Sequence, residues 1–557
     1  MKKNWRRGVL FLAAASVIAV GTFTSKALAN DDFGFPFGFN FVSGTLVLSR
    51  TIYVGNASTV TVGENVPPGC AGGANGSSNV DVPTTTTGTS IVVNVPCGSA
   101  SDNGDFPNVF DEPHNVWNNN SNPNNDFGVS SPILLDNLTT DGFPLGTLPI
   151  PSDQMVTSFS SKSELALNLS ADGRSLTFVG YQGGPGCGGF PVSPTAPNLI
   201  DVSASNTPGV CDPTNPVITT FEGGPPTAYF RAVAEVDREG NIHITDGNAY
   251  SGDNGRAAIK ASNGLYYMVG NDNSGNIPKK MILTTPVGIA LANSTGAELL
   301  VPGQAPPTPP NVAMIGRLMF AAADKPGKDT NFRGLTIFNN TLYVSKGSGG
   351  NGINTVYQVG STGTLPTGTA AELATVPIAI LPGFPNTEAS TNTAFPFGIF
   401  FANASTVYVC DEGDGTYVTP PVSGNVATPL SQANGGVQKW VLQSGTWNML
   451  YVLNDGLNIG VPYSVPFYPA SLDPATGGCR NMTGKVNNDG TVEIYAITST
   501  VSANGDNGAD PNKLVKVTDI LSATSLPSGP FIGHFVTLRS ARAGEAFRGI
   551  AFAPHDH

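Results

Sequence analysis

The pattern that most constrains this chain of 557 residues is a hairpin unit that recurs along it. Each copy has an apolar strand, a tight polar turn rich in Asn, Asp and Gly, and a second strand that ends in small or polar residues. Asn and Gly reach positive φ at little cost, so these turns favour β-hairpins. Five copies are recognisable: Glu164–Tyr181, Arg256–Asn271, Phe332–Gly347, Phe395–Gly413 and Met482–Ser499.

Two further strand candidates follow each hairpin, such as Lys279–Thr285 after the second copy and Ala371–Ile380 after the third. Four strands per unit, repeated along a chain, predict a β-propeller. Composition agrees, because 67 Gly and 45 Pro residues are more than helix-rich domains tolerate. We therefore predict an all-β fold.

The two ends of the chain complete the count of strands. Phe547–Pro554 matches Phe332–Phe338 but has no second hairpin strand behind it. The N-terminal half supplies the missing strands, which are Thr45–Tyr53, Pro132–Leu138 and Leu145–Ile150. Pairing the last strand with the first would close the ring and remove open sheet edges. This predicts a six-bladed propeller whose closing blade contains both termini, with a seventh blade in the insertions as the alternative.

Short segments resemble known propellers. Leu169–Val179 (LSADGRSLTFV) is similar to the strand–turn–strand repeat of secreted and periplasmic propellers of the YVTN or NHL-like kind. Phe547–Pro554, Phe332–Phe338 and Gly435–Trp440 (GGVQKW) resemble exported bacterial propellers. The likeness extends in patches over residues 43–557. It implies a propeller fold and export, and it leaves the ligand open.

The first residues predict export. Residues 1–7 carry four basic side chains, Gly8–Val20 is apolar, and Ala27–Ala29 has the small residues that a signal peptidase reads. We expect a Sec signal peptide at residues 1–29, with an uncleaved anchor as the alternative, and a single propeller domain at residues 30–557. The first cysteine is Cys70, so no lipid anchor is expected, and the mature protein should be periplasmic or secreted.

Three long insertions separate the second and third strands of their units: Gly55–Ser131, Gln182–Thr227 and Asp411–Gly436. Connections of this type share one rim of a propeller. Function tends to lie on loops that a rigid scaffold holds, so this rim is the predicted recognition surface. The alternative is that the insertions are surface decoration without a ligand.

The six cysteines predict disulfide bonds, since an even number in an exported chain favours them. Proximity along the chain favours Cys70–Cys97, Cys187–Cys211 and Cys410–Cys479. The first two would close an insertion each, and the third would join neighbouring blades.

In a propeller, the first strand of each unit lies next to a central channel. Arginines recur where these first strands begin, at Arg256, Arg333, Arg480 and Arg548. If they ring the mouth of the channel, they suit a carboxylate, sulfate or phosphate group, because a guanidinium presents a planar fork of donors. The alternative is structural: each could pair with a carboxylate of the next blade or with backbone carbonyls across the ring. The carboxylates in question are Asp253, Asp411 and Asp510.

Acidic loops on the same rim suggest calcium as the only cofactor. Carboxylate, amide and carbonyl oxygens suit Ca²⁺, although the spacing of an EF-hand loop is missing and turn chemistry explains many Asn-Gly and Asp-Gly pairs. The candidate ligands are Asp253, Asp272, Asp411, Asp414 and Asp506.

Two functions are favoured for this sequence, and a PQQ-type dehydrogenase ranks last because no Trp-docking repeat or His base is visible. A net charge of −13 disfavours a nucleic-acid partner, and no second apolar run predicts membrane insertion. The first hypothesis is a monomeric secreted propeller that binds a small-molecule, glycan or protein ligand through the long-loop rim. The alternative is a calcium-dependent lactonase, phosphoester hydrolase or polysaccharide lyase that uses the arginines and the acidic loops.

Overall fold

The computed structural model describes residues 39–52, 65–66, 79–86, 89–96, 98–101, 116–117, 130–159, 161–183, 230–247, 249–250, 254–271, 297–300, 312–315, 317–318, 332–347, 353–387, 394–413, 435–468, 470, 473–502, 508 and 510–556. These residues form an all-β fold of antiparallel sheets arranged as a β-propeller. The predicted signal peptide lies outside them.

The first and last strands of the described chain share one sheet, here called the closing sheet. Its strands are, in order, Glu545–Phe552, Leu46–Ile52, Ile133–Leu138 and Pro144–Pro149. Leu46 faces Phe552 and Ile52 faces Glu545, with one bulge between Ser49 and Arg50. The predicted pairing of the two ends is therefore present.

Five further sheets follow in chain order, each built on one of the predicted hairpins. Sheet 1 contains Asn168–Leu169, Ser175–Gln182, Arg231–Asp237 and Ile242–Gly247, with Met155–Ser158 and Ser130–Ser131 added to it. Sheet 2 contains Gly255–Lys260, Tyr266–Gly270, Ala297–Leu300 and Val312–Met314. Sheet 3 contains Gly334–Phe338, Thr341–Lys346, Thr355–Val359 and Pro377–Ile380, with Arg317–Leu318 parallel to the last. Sheet 4 contains Pro396–Asn403, Thr406–Asp411, Gly436–Gln443 and Thr446–Leu453, and sheet 5 contains Ala475–Val486, Thr491–Val501, Lys513–Ile520 and Val536–Ser540.

The insertions leave between the second and third strands of the closing sheet, sheet 1 and sheet 4. The first insertion has β-structure of its own. Asn79–Thr86 pairs with Thr89–Pro96, and Gly98–Ser101 lies between Asn65–Val66 and Val116–Trp117. Cys70–Cys97, Cys187–Cys211 and the predicted strand Lys279–Thr285 lie outside the described residues.

The prediction of one strand over Ala371–Ile380 is wrong at its start. Ala370–Leu373 is a short helix, and only Pro377–Ile380 is strand. The helix begins with a capping box, in which Glu372 accepts from the Thr369 N–H and Thr369 accepts from the Glu372 N–H. Within the described ranges, no helix has the length and apolar character needed to cross a bilayer.

Inner strands of neighbouring sheets approach each other closely at glycines, where we call the first strand of each sheet its inner strand. A Cβ at Gly334 would lie 2.2 Å from the carbonyl oxygen of Phe397 in sheet 4. A Cβ at Gly549 in the closing sheet would lie 2.4 Å from the carbonyl oxygen of Leu165. Only a residue without a Cβ allows these backbones to meet, so the glycines set how tightly the ring closes.

Sheets 4 and 5 are also joined by a fully buried ion pair. Lys439 Nζ lies 3.0 Å from Asp519 Oδ2, and both side chains are inaccessible to solvent. Tyr408 and Tyr451 donate to the Asp519 carboxylate, and Lys439 also donates to the carbonyl oxygens of Ile520 and Ala523. Every charge of the pair thus has hydrogen-bond partners from the adjacent sheet.

Replacing Gly549 with Ala is expected to destabilise the protein by about 1–3 kcal/mol, because the new methyl group collides with backbone that cannot move independently. Gly529→Ala is the matched control, since a Cβ there has nothing within 4 Å. Urea denaturation of both variants measures the difference. Equal stability of the two would show that the ring is not closed as described.

Lys439→Met should destabilise the fold by about 3–5 kcal/mol, because Asp519 would stay buried without its cation. The double variant Lys439→Met/Asp519→Leu removes both charges and should recover most of the loss. Denaturant midpoints at neutral pH provide the measurement. A single variant as stable as the parent would rule out this ion pair as a link between the sheets.

Candidate functional site

One cavity lies where the inner strands converge. Its volume is about 20 Å³, which is room for about one water molecule. Its lining comes from the inner strands of all five numbered sheets and of the closing sheet, and from residues that precede the inner strands of sheets 1 and 3. The residues before these two strands are Lys162, Ser163, Ala166 and Arg333, and those within the inner strands are Asn168, Ala257, Gly334, Leu335, Phe397, Gly398, Ile399, Arg480, Asn481, Met482 and Arg548. We call it the inner-strand cavity.

Three of the four predicted arginines line this cavity, namely Arg333, Arg480 and Arg548, and Lys162 joins them. Arg256 is buried in the inner strand of sheet 2, where its Nη1 donates to the carbonyl oxygen of Phe332 at 2.8 Å. Four cations therefore line one cavity. Three of them are arginines that the sequence predicted, and the fourth is Lys162.

The arginines of the cavity also contact protein groups. Arg548 donates to the carbonyl oxygen of Phe159, and Arg333 Nη1 donates to Ser163 Oγ at 3.0 Å. The Arg333 guanidinium also lies over the Phe397 ring, 5.4 Å from its centroid. A guanidinium carries five N–H donors, so it can hold a protein partner and a ligand at the same time.

Arg480 forms an ion pair with Glu412, which directly follows the second strand of sheet 4. Arg480 Nε lies 3.1 Å from Glu412 Oε2, and both side chains are buried. Burial alone would raise the pKa of Glu412, but the positive charges of Lys162, Arg480 and Arg333 outweigh it and hold that pKa below its ordinary value. Glu412 is therefore ionised at neutral pH.

The backbone around Arg480 is held from several sides. Cys479 forms the predicted disulfide bond with Cys410, with the two Cα atoms 5.3 Å apart. The inner strand carries two bulges here, one on each side of Cys479. Bulges redirect side chains, and a disulfide restricts the backbone that bears them. Arg480 and Glu412 each lie within two residues of this bond, so it fixes one relative to the other.

The calcium prediction stays a prediction. Of its five candidate ligands, only Asp411 lies within the described residues. Both Asp411 oxygens accept hydrogen bonds there, from the N–H groups of Phe395 and Gly413 and from the Gln438 amide. In the described part of the chain, no group of three His, Cys, Asp or Glu side chains is arranged to hold a metal ion.

Sequence reasoning missed Lys162 and Glu412. Lys162 precedes the first hairpin by two residues, and Glu412 follows Asp411, which was considered only as a calcium ligand or as a partner for arginine. No local pattern marks these two residues. The sequence does show that the residue after each inner-strand arginine, or after the residue aligned with it, is small or is Asn, and such residues let neighbouring strands approach. The aligned pairs are Leu165-Ala166, Arg256-Ala257, Arg333-Gly334, Phe397-Gly398, Arg480-Asn481 and Arg548-Gly549.

No protein-family model matches the chain, and no curated protein matches it. Among solved structures, it is similar to a glucose dehydrogenase with a TM-score of 0.32 and 12% identity, covering 69% of this chain and 92% of that one. It is also similar to the haemagglutinin-neuraminidase of parainfluenza virus 5 with the ligand DANA, with a TM-score of 0.29, 10% identity, and coverage of 90% and 98%. Likenesses this low carry no argument about what this chain binds.

Glu412→Gln tests the charge balance of the cavity. Because the pKa of Glu412 is lowered from its ordinary value of 4.5, the carboxylate stabilises the fold above that pH and loses this effect as pH falls through the lowered pKa. The variant should thus be less stable than the parent at pH 7, and the difference should shrink in acid. Urea denaturation at several pH values measures it, with the exposed Glu239→Gln as control. A pH-independent difference would contradict the assignment.

Proposed function

We propose that this protein is a binding propeller that anchors an anionic group of its ligand in the inner-strand cavity. The observation that supports it is the convergence of Lys162, Arg333, Arg480 and Arg548 on one cavity, with a single carboxylate, Glu412, as the ionised partner of Arg480 among the described residues. Guanidinium and ammonium groups bind carboxylate, sulfate and phosphate through charge-assisted hydrogen bonds.

The long insertions supply the second part of this proposal. Each leaves its sheet between the second and third strands, at the end where the following inner strand begins. The contact of Glu412 with Arg480 is an example, because Glu412 is at the start of the third insertion and Arg480 is near the start of an inner strand. We propose that the insertions contact the parts of a ligand that extend from the cavity.

We further propose a blade count of six, with the closing sheet as one blade, and export through a Sec signal peptide at residues 1–29. Six inner strands that contribute to one cavity favour the count. The disulfide bond between Cys410 and Cys479 favours an oxidising compartment. The calcium-dependent hydrolase or lyase stays the alternative, since Asp253, Asp272, Asp414 and Asp506 lie outside the described residues.

Arg333→Met should weaken the binding of acetate or sulfate by about ten- to a hundredfold, because a hydrogen bond to a charged group contributes about 1.5–3 kcal/mol. Methionine keeps the length of the apolar stem and removes the charge. Isothermal titration calorimetry at constant ionic strength gives the dissociation constants. Arg542→Met, at an exposed arginine outside the cavity, is the matched control. If both variants bind these anions as the parent does, the cavity is not the anion site.

A further inference from the structure

The volume of the inner-strand cavity limits what it can hold. About 20 Å³ is room for about one water molecule. Sulfate and phosphate carry several oxygens around a central atom, and a carboxylate carries two oxygens on a carbon, so none of these groups fits entirely within this volume. A halide such as chloride is a single atom and is only slightly larger than a water molecule. The size of the cavity therefore favours a monatomic ion.

The lining of the cavity is rich in hydrogen-bond donors. Among the described residues, no carboxylate lines it, and its charged residues are all cations: Lys162, Arg333, Arg480 and Arg548. Asn481 also lines it, and its Oδ1 accepts from the backbone N–H of Ile550 at 2.5 Å, so its NH₂ group is directed elsewhere. A water molecule donates hydrogen bonds as well as accepting them, whereas a halide ion only accepts. Donors around so small a volume thus suit a halide better than water.

The charged ends of these side chains act on one part of the structure. The positive charges of Lys162, Arg480 and Arg333 together lower the pKa of the buried Glu412 carboxyl, against the effect of its burial. The guanidinium-bearing side chains are themselves buried, since Arg333, Arg480 and Arg548 are each at most 6% exposed. Cations that meet in a buried site repel one another and are screened little by water. An anion among them therefore lowers the free energy of the site.

We propose that the inner-strand cavity is a halide site in which one chloride ion lies among Arg333, Arg480 and Arg548. This inference rests on the anion site of the proposed function and narrows the anion that fills it to a monatomic one. Guanidinium groups are more weakly hydrated than ammonium groups, so they exchange water for chloride readily. The ion links the inner strands of sheet 5 and of the closing sheet to Arg333, which directly precedes the inner strand of sheet 3, and it thereby stabilises the ring.

Thermal melting of the full mature chain tests the halide site. Sodium chloride is titrated against sodium gluconate at constant ionic strength, because the long hydroxylated chain of gluconate keeps it out of the cavity. An ion that binds only the folded chain raises Tm, and Tm continues to rise with each tenfold increase in concentration above the dissociation constant. Chloride and bromide should raise Tm at millimolar concentrations, and acetate and sulfate at the same concentrations should raise it less.

The outcomes separate this inference from the proposed function. Acetate or sulfate that raises Tm as much as chloride does would overturn the halide site and leave the anion site standing. If chloride raises Tm and acetate and sulfate do not, the halide site stands and the anchoring of a larger anionic group fails. If no anion changes Tm relative to gluconate, both proposals fail.

A pair of matched variants and a heavier halide locate the ion. Arg548→Met removes one of the three guanidinium groups and should abolish most of the rise of Tm with chloride. Arg542→Met, at an exposed arginine outside the cavity, should keep it. Because Arg548→Met can also weaken the fold, the anomalous scattering of bromide in crystals of the parent protein is the second measurement, and one bromide is expected among the three arginines. Equal chloride dependence in both variants, or bromide at exposed positions alone, would indicate an adventitious ion only and overturn the halide site.

Discussion

The propeller depends on the pairing of Glu545–Phe552 with Leu46–Ile52. This pairing joins segments that are about 500 residues apart, and Ser49 lies at its centre. The Ser49 hydroxyl accepts from the Gly549 N–H at 2.7 Å and donates to the carbonyl oxygen of Leu165 at 2.8 Å. One side chain thus links the last strand, the first strand and the next sheet. Without this pairing, two strand edges would be open, and the inner strands would have no common axis.

The candidate site is a consequence of that closure. Its cations come from different sheets, and they meet because small residues let the inner strands approach. The isolated bridge between Ala166 and Ala257 shows the same contact between sheets 1 and 2 that the glycines allow elsewhere. Around Arg480, the Cys410–Cys479 bond and the ion pair with Glu412 join the same two parts of the chain, because Arg480 follows Cys479 directly and Glu412 lies two residues after Cys410. The contacts that hold these two sheets together and the proposed anion site therefore use the same part of the molecule.

Several features were predictable because they depend on local chemistry. The turns of the five hairpins contain Asn, Asp or Gly, which determine where a strand reverses. The match between Phe547–Pro554 and Phe332–Phe338 identified the last strand as an inner strand, and the closing sheet confirms it. The Cys410–Cys479 bond was predictable from the same alignment, since one cysteine ends a second strand and the other is in the next inner strand. The helix Ala370–Leu373 was missed because a capping box outweighed the strand pattern around it.

The sequence by itself determined the strands, the repeat and the alignment of the arginines, since each follows from residues that are close in the chain. Only the tertiary structure decided which of those arginines share a cavity and what surrounds them. Lys162 and Glu412 have no local pattern that marks them, and their role arises from contacts between sheets that lie far apart in sequence. The lining of the cavity has the same origin. It depends on which side chains of six strands reach one cavity, and no single strand contains that information.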